Sequence, residues 1–526
     1  MLAFYVCLWY NLYMKTDKKP LNTIEGLQNR IAELEALVQF YEEWFKLQQH
    51  RRFGASSEKG VVPGQLNFFN EAENTADPSI PEPELEQVTY TRRKRKGKRE
   101  EDLSKLPVEK VEHTLPEEEQ ICGECGGALH VMGHDTRREL KIIPAQVSVV
   151  VHEGAIYSCR NCEKGNYRVK IKKAPMPEPV IKGSLASPSS VAHIMTQKYV
   201  MCAPLYRQEQ DWKRRGVFLS RQTMANWVIR CAEDWLKPLY ERMRELLLRS
   251  EVLHADETVV QVLKEPGKAP QSESYMWVYR TSGDTERHIV LFEYQPGRSH
   301  DHPKRFLIGF KGYLHTDGYD AYHKLPNIII IGCWVHMRRK FENAVKAMKK
   351  EQDKAKTLAQ QAITKIGTLF HLEEKWKDLP PEERYEKRLK ESKPRAEAFF
   401  AWLTTLKHTV LPKSTLGIAV NYALNQRQWL MNVYLDGRTE ISNNRIENAV
   451  RPFALGRKNW LFCESVNGAK ASSVVYSMIE TAKANRLKPF EYLEFLFEAM
   501  PNATMGQIGE FLPWGAAVPE RCRMPT

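Results

Sequence analysis

The sequence predicts a multidomain α+β protein, and three observations lead to that prediction. The chain has 526 residues, which is enough for several domains rather than one. Four of its ten cysteines form two Cys-x-x-Cys pairs, a pattern typical of a small metal-binding module in a reducing compartment. Short strand-like segments at 251–335 stand between helical segments at 188–248, about 336–435 and about 443–500, so helices and strands alternate in large blocks.

The composition favours a polyanionic partner. The formal net charge is +13 and the pI about 9.1, while 42% of the residues are hydrophobic, so a basic surface can surround a sizeable core. Nucleic acid is the commonest partner of such a chain, and an acidic membrane surface is the alternative. Residues 1–13 are apolar but shorter than the roughly 20 residues that span a bilayer, and they lack the basic start and cleavage site of a signal peptide. We therefore expect no membrane segment, and we expect translation to begin at Met14 unless residues 1–13 form an ordinary N-terminus.

The region after this unassigned N-terminal extension (1–20) carries a heptad pattern at residues 21–50. Apolar side chains alternate at spacings of three and four, at Ile24, Leu27, Ile31, Leu34, Val38, Tyr41 and Phe45. About three heptads predict a coiled coil and thus a homo-oligomer, and a single amphipathic helix packed on its own domain is the alternative. Residues 51–110 predict a flexible linker, first acidic and proline-rich and then basic, with seven positive charges at 92–99 that suit phosphate contacts.

A cysteine module is predicted at residues 111–180. Four thiolates in two knuckles suit tetrahedral zinc, and a closed site of this kind has no open position for catalysis. The ligands are Cys122, Cys125, Cys159 and Cys162. A redox dithiol is the alternative, which four matched cysteines disfavour. Between the pairs, residues 147–151 and 155–158 predict two strands of a hairpin that turns at Glu153 and Gly154.

A helix-turn-helix is predicted within the helical region 188–248. Leu205–Arg214 forms the first helix, Gly216 the turn, and Ser220 the N-cap of a second helix from Arg221 to Ala232, whose Trp227 and Val228 face the core. Side chains at the start of that helix are placed to reach base edges in a major groove. They are Arg221, Gln222, Thr223 and Asn226. A plain helical hairpin without DNA contacts is the alternative.

Three acids in separate elements are candidates for a metal-dependent site. Asp256 lies in an apolar strand that ends in carboxylates, Asp317 lies at a strand end before a glycine turn, and Glu447 lies at the start of a helix capped by Asn443 or Asn444. Neighbouring Glu257 points to the opposite face of its strand. Three carboxylates can hold two Mg²⁺ ions about 4 Å apart, because Mg²⁺ prefers oxygen ligands. Taken singly, each acid is more often a solvated or capping residue.

Seven segments and the cysteine pairs occur together in one order from Leu21 to Met500. Because of these segments and their order, the chain resembles transposases of the bacterial insertion-sequence family sixty-six. The segments are FGASSEK, the two Cys-x-x-Cys pairs, PLYRQEQ, LHADET, HTDGYDAY, GCWVHMRRKF, ISNNRIENAVRPFALGRKNWLF and SMIETAKANRLKPFEYL.

The resemblance implies a ribonuclease-H-like α/β catalytic core at 250–340 and 440–485, with a helical insertion at 341–439 and a C-terminal segment at 486–526. It also implies a catalytic triad of two aspartates and a glutamate, carried onto Asp256, Asp317 and Glu447 with two Mg²⁺ (or Mn²⁺) ions. Ser442 stands where the family often has aspartate. The spare acids are Asp320, Asp436 and Glu440, and Glu447 is preferred because it alone follows the asparagine pair at the matching offset.

Two further residue sets follow from these motifs. Cys333 and His336 are similar to a C-x-x-H element after the second aspartate in several related superfamilies; packing and orientation near the active site are favoured over a metal half-site. Arg451 lies one helical turn after Glu447. With Arg457 and Lys458 it is a candidate to grip phosphate beside the cleaved bond, a surface charge cluster being the alternative.

The function implied is a DNA transposase that binds the terminal inverted repeats of its element, cleaves a phosphodiester bond and joins the end to target DNA. Expected partners are double-stranded DNA, further copies of the chain and accessory proteins of the same element, in the bacterial cytoplasm and nucleoid. A non-catalytic DNA-binding regulator and a host nuclease of the same fold are the alternatives. The presence of all three acids argues against a non-catalytic regulator. Inverted repeats on both sides of the gene would distinguish a transposase from a host nuclease.

Overall fold

The computed structural model describes Val38 and residues 146–157, 172–347 and 357–525. Chain contacts define two compact units, one of Met1–Ser56 with Pro175–Met524 and the other of Ser57–Ala174 with the last two residues. The four cysteines predicted to bind zinc lie outside the described residues, as does the predicted coiled coil apart from Val38. No helix in the described ranges is long and apolar enough to cross a membrane.

The smaller unit contains one short antiparallel strand pair among its described residues. Strand β1 (Ile156–Tyr157) pairs with β2 (Lys172–Lys173). The predicted hairpin partner at 147–151 is wrong, because that segment is exposed and forms no strand. A run of β-branched residues indicates extended backbone but does not select the strand with which it pairs.

Four helices lie in the described part of the larger unit between Pro175 and the sheet. They are α1 (Pro188–Tyr199), α2 (Leu205–Arg214), α3 (Arg221–Cys231) and α4 (Lys237–Leu247), the last two joined by a π-helical turn at 232–236. The predicted boundaries of α2 are confirmed and those of α3 differ by one residue. Gly216 makes the turn with φ +82°, and the Ser220 side chain caps α3 by accepting from Thr223 N at 3.1 Å. Trp227 and Val228 are buried in a core that these helices share with the following sheet.

A mixed sheet forms the centre of the unit. Its strands are β3 (Val252–Lys264), β4 (Glu273–Thr281), β5 (Val290–Gln295), β6 (Gly312–Thr316) and β7 (Ile328–Gly332). The order is β5-β4-β3-β6-β7, with β3, β4 and β5 antiparallel in turn and β3, β6 and β7 parallel. Short helices α5 (Asp301–Phe306) and α6 (Asp320–His323) lie in the connections before and after β6. The strand block predicted at 251–335 is thereby confirmed.

Helices cover the sheet and extend beyond it. After β7 come α7 (Trp334–Ala347), α8 (Leu358–Trp376), α9 (Pro381–Lys387), α10 (Lys393–Lys407), α11 (Thr415–Asn425) and α12 (Arg427–Met431). All of these except α9 share a second core. Then follow α13 (Asn444–Trp460), strand β8 (Cys463–Ser465), α14 (Val466–Ala484) and α15 (Pro489–Ala499). β8 pairs in parallel with the far end of β3.

Helix α14 covers the outer edge of β5 with hydroxyl groups. Ser477 Oγ accepts from Phe292 N at 2.8 Å, and Thr481 Oγ1 accepts from Val290 N at 3.0 Å. Thr481 also donates to the Val290 carbonyl at 2.9 Å. An uncovered strand edge would invite pairing with another chain, so these bonds close the sheet on that side.

Candidate active site

Strand register aligns two of the candidate acids. β3 and β6 run in parallel, and His254 on β3 pairs with His315 on β6. Asp256 and Asp317 each follow two residues after this last pair, Asp317 just beyond the end of β6, and the charge of Asp317 raises the pKa of Asp256, so the two acids lie near each other. Asp256 is the fifth residue of a thirteen-residue strand, which corrects the expectation that the strand ends at the carboxylates. Asp317 directly follows β6 as predicted, and its Oδ1 accepts from Tyr319 N at 2.9 Å.

Glu447 lies in the first turn of α13, close enough to Asp256 for its charge to act on that carboxyl group. The pKa of Asp256 is raised partly because other acidic side chains lie close to it. Burial raises it well above its usual range, and the negative charges of Glu257, Asp317 and Glu447 raise it further, against one lowering hydrogen bond from Glu257 N. Within the described parts of the chain, no Lys or Arg forms a salt bridge with Asp256 or Asp317. The three predicted acids therefore form a cluster in which only Glu447 has a basic partner, Arg339.

Glu257 is held away from this cluster on the other face of β3. Its side chain is 1% exposed and accepts from Arg298 Nε at 2.8 Å and from the Tyr322 hydroxyl at 2.6 Å. Arg298 in turn stacks over the Tyr319 ring, 3.8 Å from its centroid. Glu257 is therefore engaged by Arg298 and Tyr322, separately from its neighbour Asp256.

A buried polar network fixes the approach to α13. The side chain of Asn443 donates from Nδ2 to the Ala255 carbonyl at 3.1 Å, so its oxygen faces His254 Nδ1 at 2.8 Å. The Glu440 backbone N–H donates to His315 Nε2 at 3.0 Å, and the His254 and His315 rings stack at 4.4 Å. Asn443 occupies the predicted N-cap position but makes no capping bond, because its amide holds β3 instead.

The spare acids are engaged elsewhere or exposed. Glu440 accepts from Arg445 Nε and lies 3.6 Å from His254 Nε2. Burial alone would raise the pKa of Glu440, but His254 and Arg445 hold it well below its usual range. Asp436 pairs with Arg438, and the Asp320 side chain is 84% exposed. These partners favour Glu447 as the third acid of the cluster.

The helical insertion reaches the carboxylate cluster through Tyr422 on α11. A Cβ added at Gly318 would lie 2.4 Å from the Tyr422 hydroxyl oxygen, so only glycine allows this close approach beside Asp317. Burial and the negative charge of Asp317 raise the pKa of Tyr422 to about 12. The phenol therefore remains protonated beside the acids and can donate a hydrogen bond.

Cys333 and His336 lie beside Glu447. His336 Nδ1 is 3.9 Å from Glu447 Oε1, and Arg339 Nη2 is 3.7 Å from Glu447 Oε2. Cys333 Sγ accepts from Asn443 N at 3.2 Å. Burial raises the pKa of this thiol to about 12, and the Glu447 charge adds to the effect. Both residues of the C-x-x-H element therefore contact the loop and helix that carry Glu447.

The predicted DNA-contact residues lie in two places. Arg221, Gln222 and Asn226 are exposed and Thr223 is half-buried at the start of α3, and Thr223 and Asn226 line an open cavity of about 360 Å³ with Lys182. On α13, Arg451 is half-buried and Lys458 exposed. Arg457 Nη1 donates to the Val259 carbonyl, which ties that guanidinium to β3. Contact of these residues with DNA stays a prediction.

Sequence reasoning missed the buried network behind the acids. A signal for it exists, because Leu253-His254-Ala255-Asp256 and Leu314-His315-Thr316-Asp317 repeat the pattern Leu-His-x-Asp. The repeat indicates two strands of similar environment. Their pairing with Asn443 and Glu440 crosses more than a hundred residues, so no local pattern predicts it.

The family described as "Transposase IS66 family" matches residues 183–471, more than half of the chain and all three acids. The chain belongs to this family. Residues 119–163, with all four cysteines of the two pairs, match the "zinc-finger binding domain of transposase IS66". Residues 41–111 match "Transposase C of IS166 homeodomain", and residues 477–514 match the "IS66 C-terminal element". The resemblance stated from the motifs is confirmed, and the chain is a DNA transposase with DNA-binding modules.

Relatives of this transposase occur in Sinorhizobium fredii. It is 30% identical to the uncharacterized protein y4jD over 76% of this chain and 78% of that protein. It is 28% identical to y4qI over 94% and 91%, and 27% identical to y4hP over 77% and 74%. A solved "Drosophila P element transposase strand transfer complex" aligns at a TM-score of 0.30 and 11% identity over 56% of this chain and 93% of that chain, a likeness too weak for any argument.

Proposed function

We propose that this transposase binds the ends of its insertion element, cleaves the phosphodiester bond there and transfers the freed strand to target DNA. The observation that carries the proposal is the cluster of Asp256, Asp317 and Glu447, with Asp256 buried among like charges. A structural site would pair such charges with Arg or Lys, whereas a site for a polyvalent cation leaves them unpaired.

The donor set fits Mg²⁺ or Mn²⁺. Carboxylate oxygens are the ligands that hard cations prefer, and Glu447 Oε1 is buried without a hydrogen-bond partner among the described residues. Two such ions, when bound, activate the attacking hydroxyl and stabilise the leaving 3′ oxygen. The Asp256 carboxyl group must be ionised to serve as a ligand, and its pKa in the metal-free protein is raised, so we propose that protons compete with Mg²⁺ and that Mg²⁺ affinity rises with pH.

The protein's own groups orient that chemistry. The Asn443–His254 bond and the His315–Glu440 bond hold the start of α13 against β3 and β6, which fixes Glu447 relative to both aspartates. Arg339, 3.7 Å from Glu447, balances part of its charge and lies where a phosphate can approach. Arg451 and Lys458 extend the basic side of α13, and we propose phosphate contact for both and for Arg457.

We propose that the sheet and its helices form a ribonuclease-H-like core at 250–340 and 440–485 with the insertion at 341–439. A central strand flanked by an antiparallel meander on one side and two parallel strands on the other supports this proposal. The aspartates on the central strand and its parallel neighbour are those the resemblance selects.

The remaining assignments concern partners. We propose that Cys122, Cys125, Cys159 and Cys162 bind one structural zinc, and that residues 21–50 self-associate as a coiled coil. We propose that α3 reads the terminal repeats in the major groove through Arg221, Gln222, Thr223 and Asn226; the exposure of Arg221 and Gln222 at the start of this helix supports the proposal. Accessory proteins of the element and a nucleoid location belong to the same proposal.

A separation-of-function experiment tests the proposal. Purified chain, Arg221→Ala and Asp317→Asn are compared for binding to labelled element ends and for cleavage with Mg²⁺. Arg221→Ala should weaken end binding by roughly 5- to 150-fold, as expected for a base contact worth about 1–3 kcal/mol. Asp317→Asn should bind ends as the unmodified chain does and fail to cleave them. Normal cleavage by Asp317→Asn contradicts the proposed chemistry.

A further inference from the structure

One trio of metal-binding side chains lies beside the carboxylate cluster and includes one of its members. Cys333 Sγ, a ring nitrogen of His336 and a carboxylate oxygen of Glu447 all lie within 4.8 Å of one another. In the described ranges, this is the only group of three or more His, Cys, Asp or Glu side chains with donor atoms so close together.

Two helix starts hold the trio in place. Cys333 directly precedes α7 and His336 lies in its first turn, while Glu447 lies in the first turn of α13. Backbone bonds tie these starts together, since Trp334 N donates to the Ile441 carbonyl at 3.1 Å and Asn443 N donates to Cys333 Sγ at 3.2 Å. The three ligands are therefore fixed by backbone contacts rather than by flexible loops.

The trio also contains two unsatisfied polar atoms. His336 Nδ1 and Glu447 Oε1 are both buried without a hydrogen-bond partner within the described chain, and they face each other at 3.9 Å. Buried polar atoms without partners are uncommon and costly in folded proteins. A cation between these two atoms and the thiol sulfur would satisfy both.

The chemistry of the trio differs from that of the carboxylate cluster. Sulfur, imidazole nitrogen and one carboxylate oxygen are the ligands of zinc-like transition metals, whereas Mg²⁺ takes oxygen. Zinc bonds of about 2.0–2.3 Å place tetrahedral ligands roughly 3.3–3.8 Å apart. Side-chain movement of about 1 Å would thus close the trio, and the fourth position would remain for water.

We propose that Cys333, His336 and Glu447 form a transition-metal site that binds Zn²⁺ or a similar ion and withdraws Glu447 from Asp256 and Asp317. Binding exchanges the Cys333 thiol proton, which leaves to solvent, for a metal–sulfur bond. Metal occupancy thereby inhibits the transposase. The binding site stands by itself, and only its inhibitory consequence rests on the proposed function.

The test uses the full chain, with its cysteine module loaded with zinc, and Co²⁺ as a spectroscopic probe. We expect the unmodified chain to bind one more Co²⁺ than Cys333→Ser, with a thiolate-to-cobalt absorption band that is missing in that variant and lost or shifted in His336→Gln. Asp256→Asn is the matched control, since it removes a neighbouring carboxylate but no ligand of the trio, and it should retain the band. Zn²⁺ should displace the cobalt and abolish the band.

The outcomes separate binding from function. Equal cobalt stoichiometry and identical spectra in the unmodified chain, Cys333→Ser and His336→Gln overturn the proposal. If Cys333→Ser fails to fold by circular dichroism, His336→Gln decides, because that side chain is 26% exposed and its loss leaves the core intact. If the unmodified chain binds cobalt at this site but cleaves no DNA with Mg²⁺, the metal site stands and only the proposed function is contradicted. Where cleavage occurs, Zn²⁺ should inhibit the unmodified chain at concentrations at least about tenfold lower than Cys333→Ser.

Discussion

Two buried charge clusters in the same unit are built in opposite ways. In the helical insertion, Arg388 is 1% exposed and its guanidinium donates to the Glu373 carboxylate and to the carbonyls of Asp436 and Thr439. At the carboxylate face, Asp256 has one backbone N–H donor and acids on several sides. The paired cluster has the character of a structural element, whereas the unpaired cluster is suited to a cation that is not part of the chain.

The two clusters lie on one continuous stretch of chain. Arg388 holds the loop at 436–439, the Asn443 and Glu440 contacts hold the next residues to β3 and β6, and Glu447 follows in α13. Arg384 also holds the loop at 436–439, because it donates to the Gly437 carbonyl at 3.0 Å and to Asp284. Through these contacts the insertion contributes to the position of the third acid.

The largest expected effect is on the paired cluster. Arg388→Met leaves Glu373 buried without its partner, and we expect unfolding free energy to fall by about 3–5 kcal/mol in chemical denaturation. The double variant Arg388→Met with Glu373→Met should recover much of that loss, because no uncompensated charge remains. A loss under about 1 kcal/mol in the single variant would mean that the cluster is not structural.

An intermediate effect is expected where the two clusters join. Asn443→Ala removes the bonds to Ala255 and His254 without removing a carboxylate, and we expect cleavage to fall about 10–100-fold with a higher half-saturating Mg²⁺ concentration. Asn444→Ala is the matched control, since its side chain makes no hydrogen bond among the described residues. End binding should not change in either variant. Equal Mg²⁺ dependence in both variants would show that Asn443 does not position the site.

The smallest expected effect is a gain in stability, whereas Arg388→Met in the paired cluster lowers stability. Asp256→Asn should raise the thermal midpoint of the metal-free protein at neutral pH, because it removes a carboxyl group that is costly to ionise among like charges in the folded state. The folded-state pKa of Asp256 lies above its unfolded value of about 4, so its charge destabilises the fold increasingly as pH rises above that value. The difference from the unmodified chain should vanish below about pH 4. A lower thermal midpoint for Asp256→Asn than for the unmodified chain at pH 7 would contradict the claim that the Asp256 carboxyl group destabilises the metal-free fold.

The sequence predicted the elements better than their partners. The boundaries of α2, the strand block and the three acids follow from local periodicity and ordered motifs, and the structure brings those acids together. The hairpin at 147–158 failed because strand pairing depends on residues distant in sequence. The sequence also did not predict that the Asn443 side chain bonds to β3 and not to its own helix. An asparagine at an N-cap position has the same local sequence whether its side chain caps the helix or bonds elsewhere.

The most direct test of the account compares two glutamates seven residues apart in an end-cleavage assay. Glu447→Gln removes a carboxylate whose charge acts on Asp256, whereas Glu440→Gln removes one that is engaged by Arg445 and His254. We expect Glu447→Gln to lower cleavage with Mg²⁺ by about 10²–10³-fold or more while it binds element ends normally, as loss of one preorganised charged group does. Glu440→Gln should retain more activity than Glu447→Gln. Full cleavage by Glu447→Gln together with an inactive Glu440→Gln would contradict the assignment of the third acid.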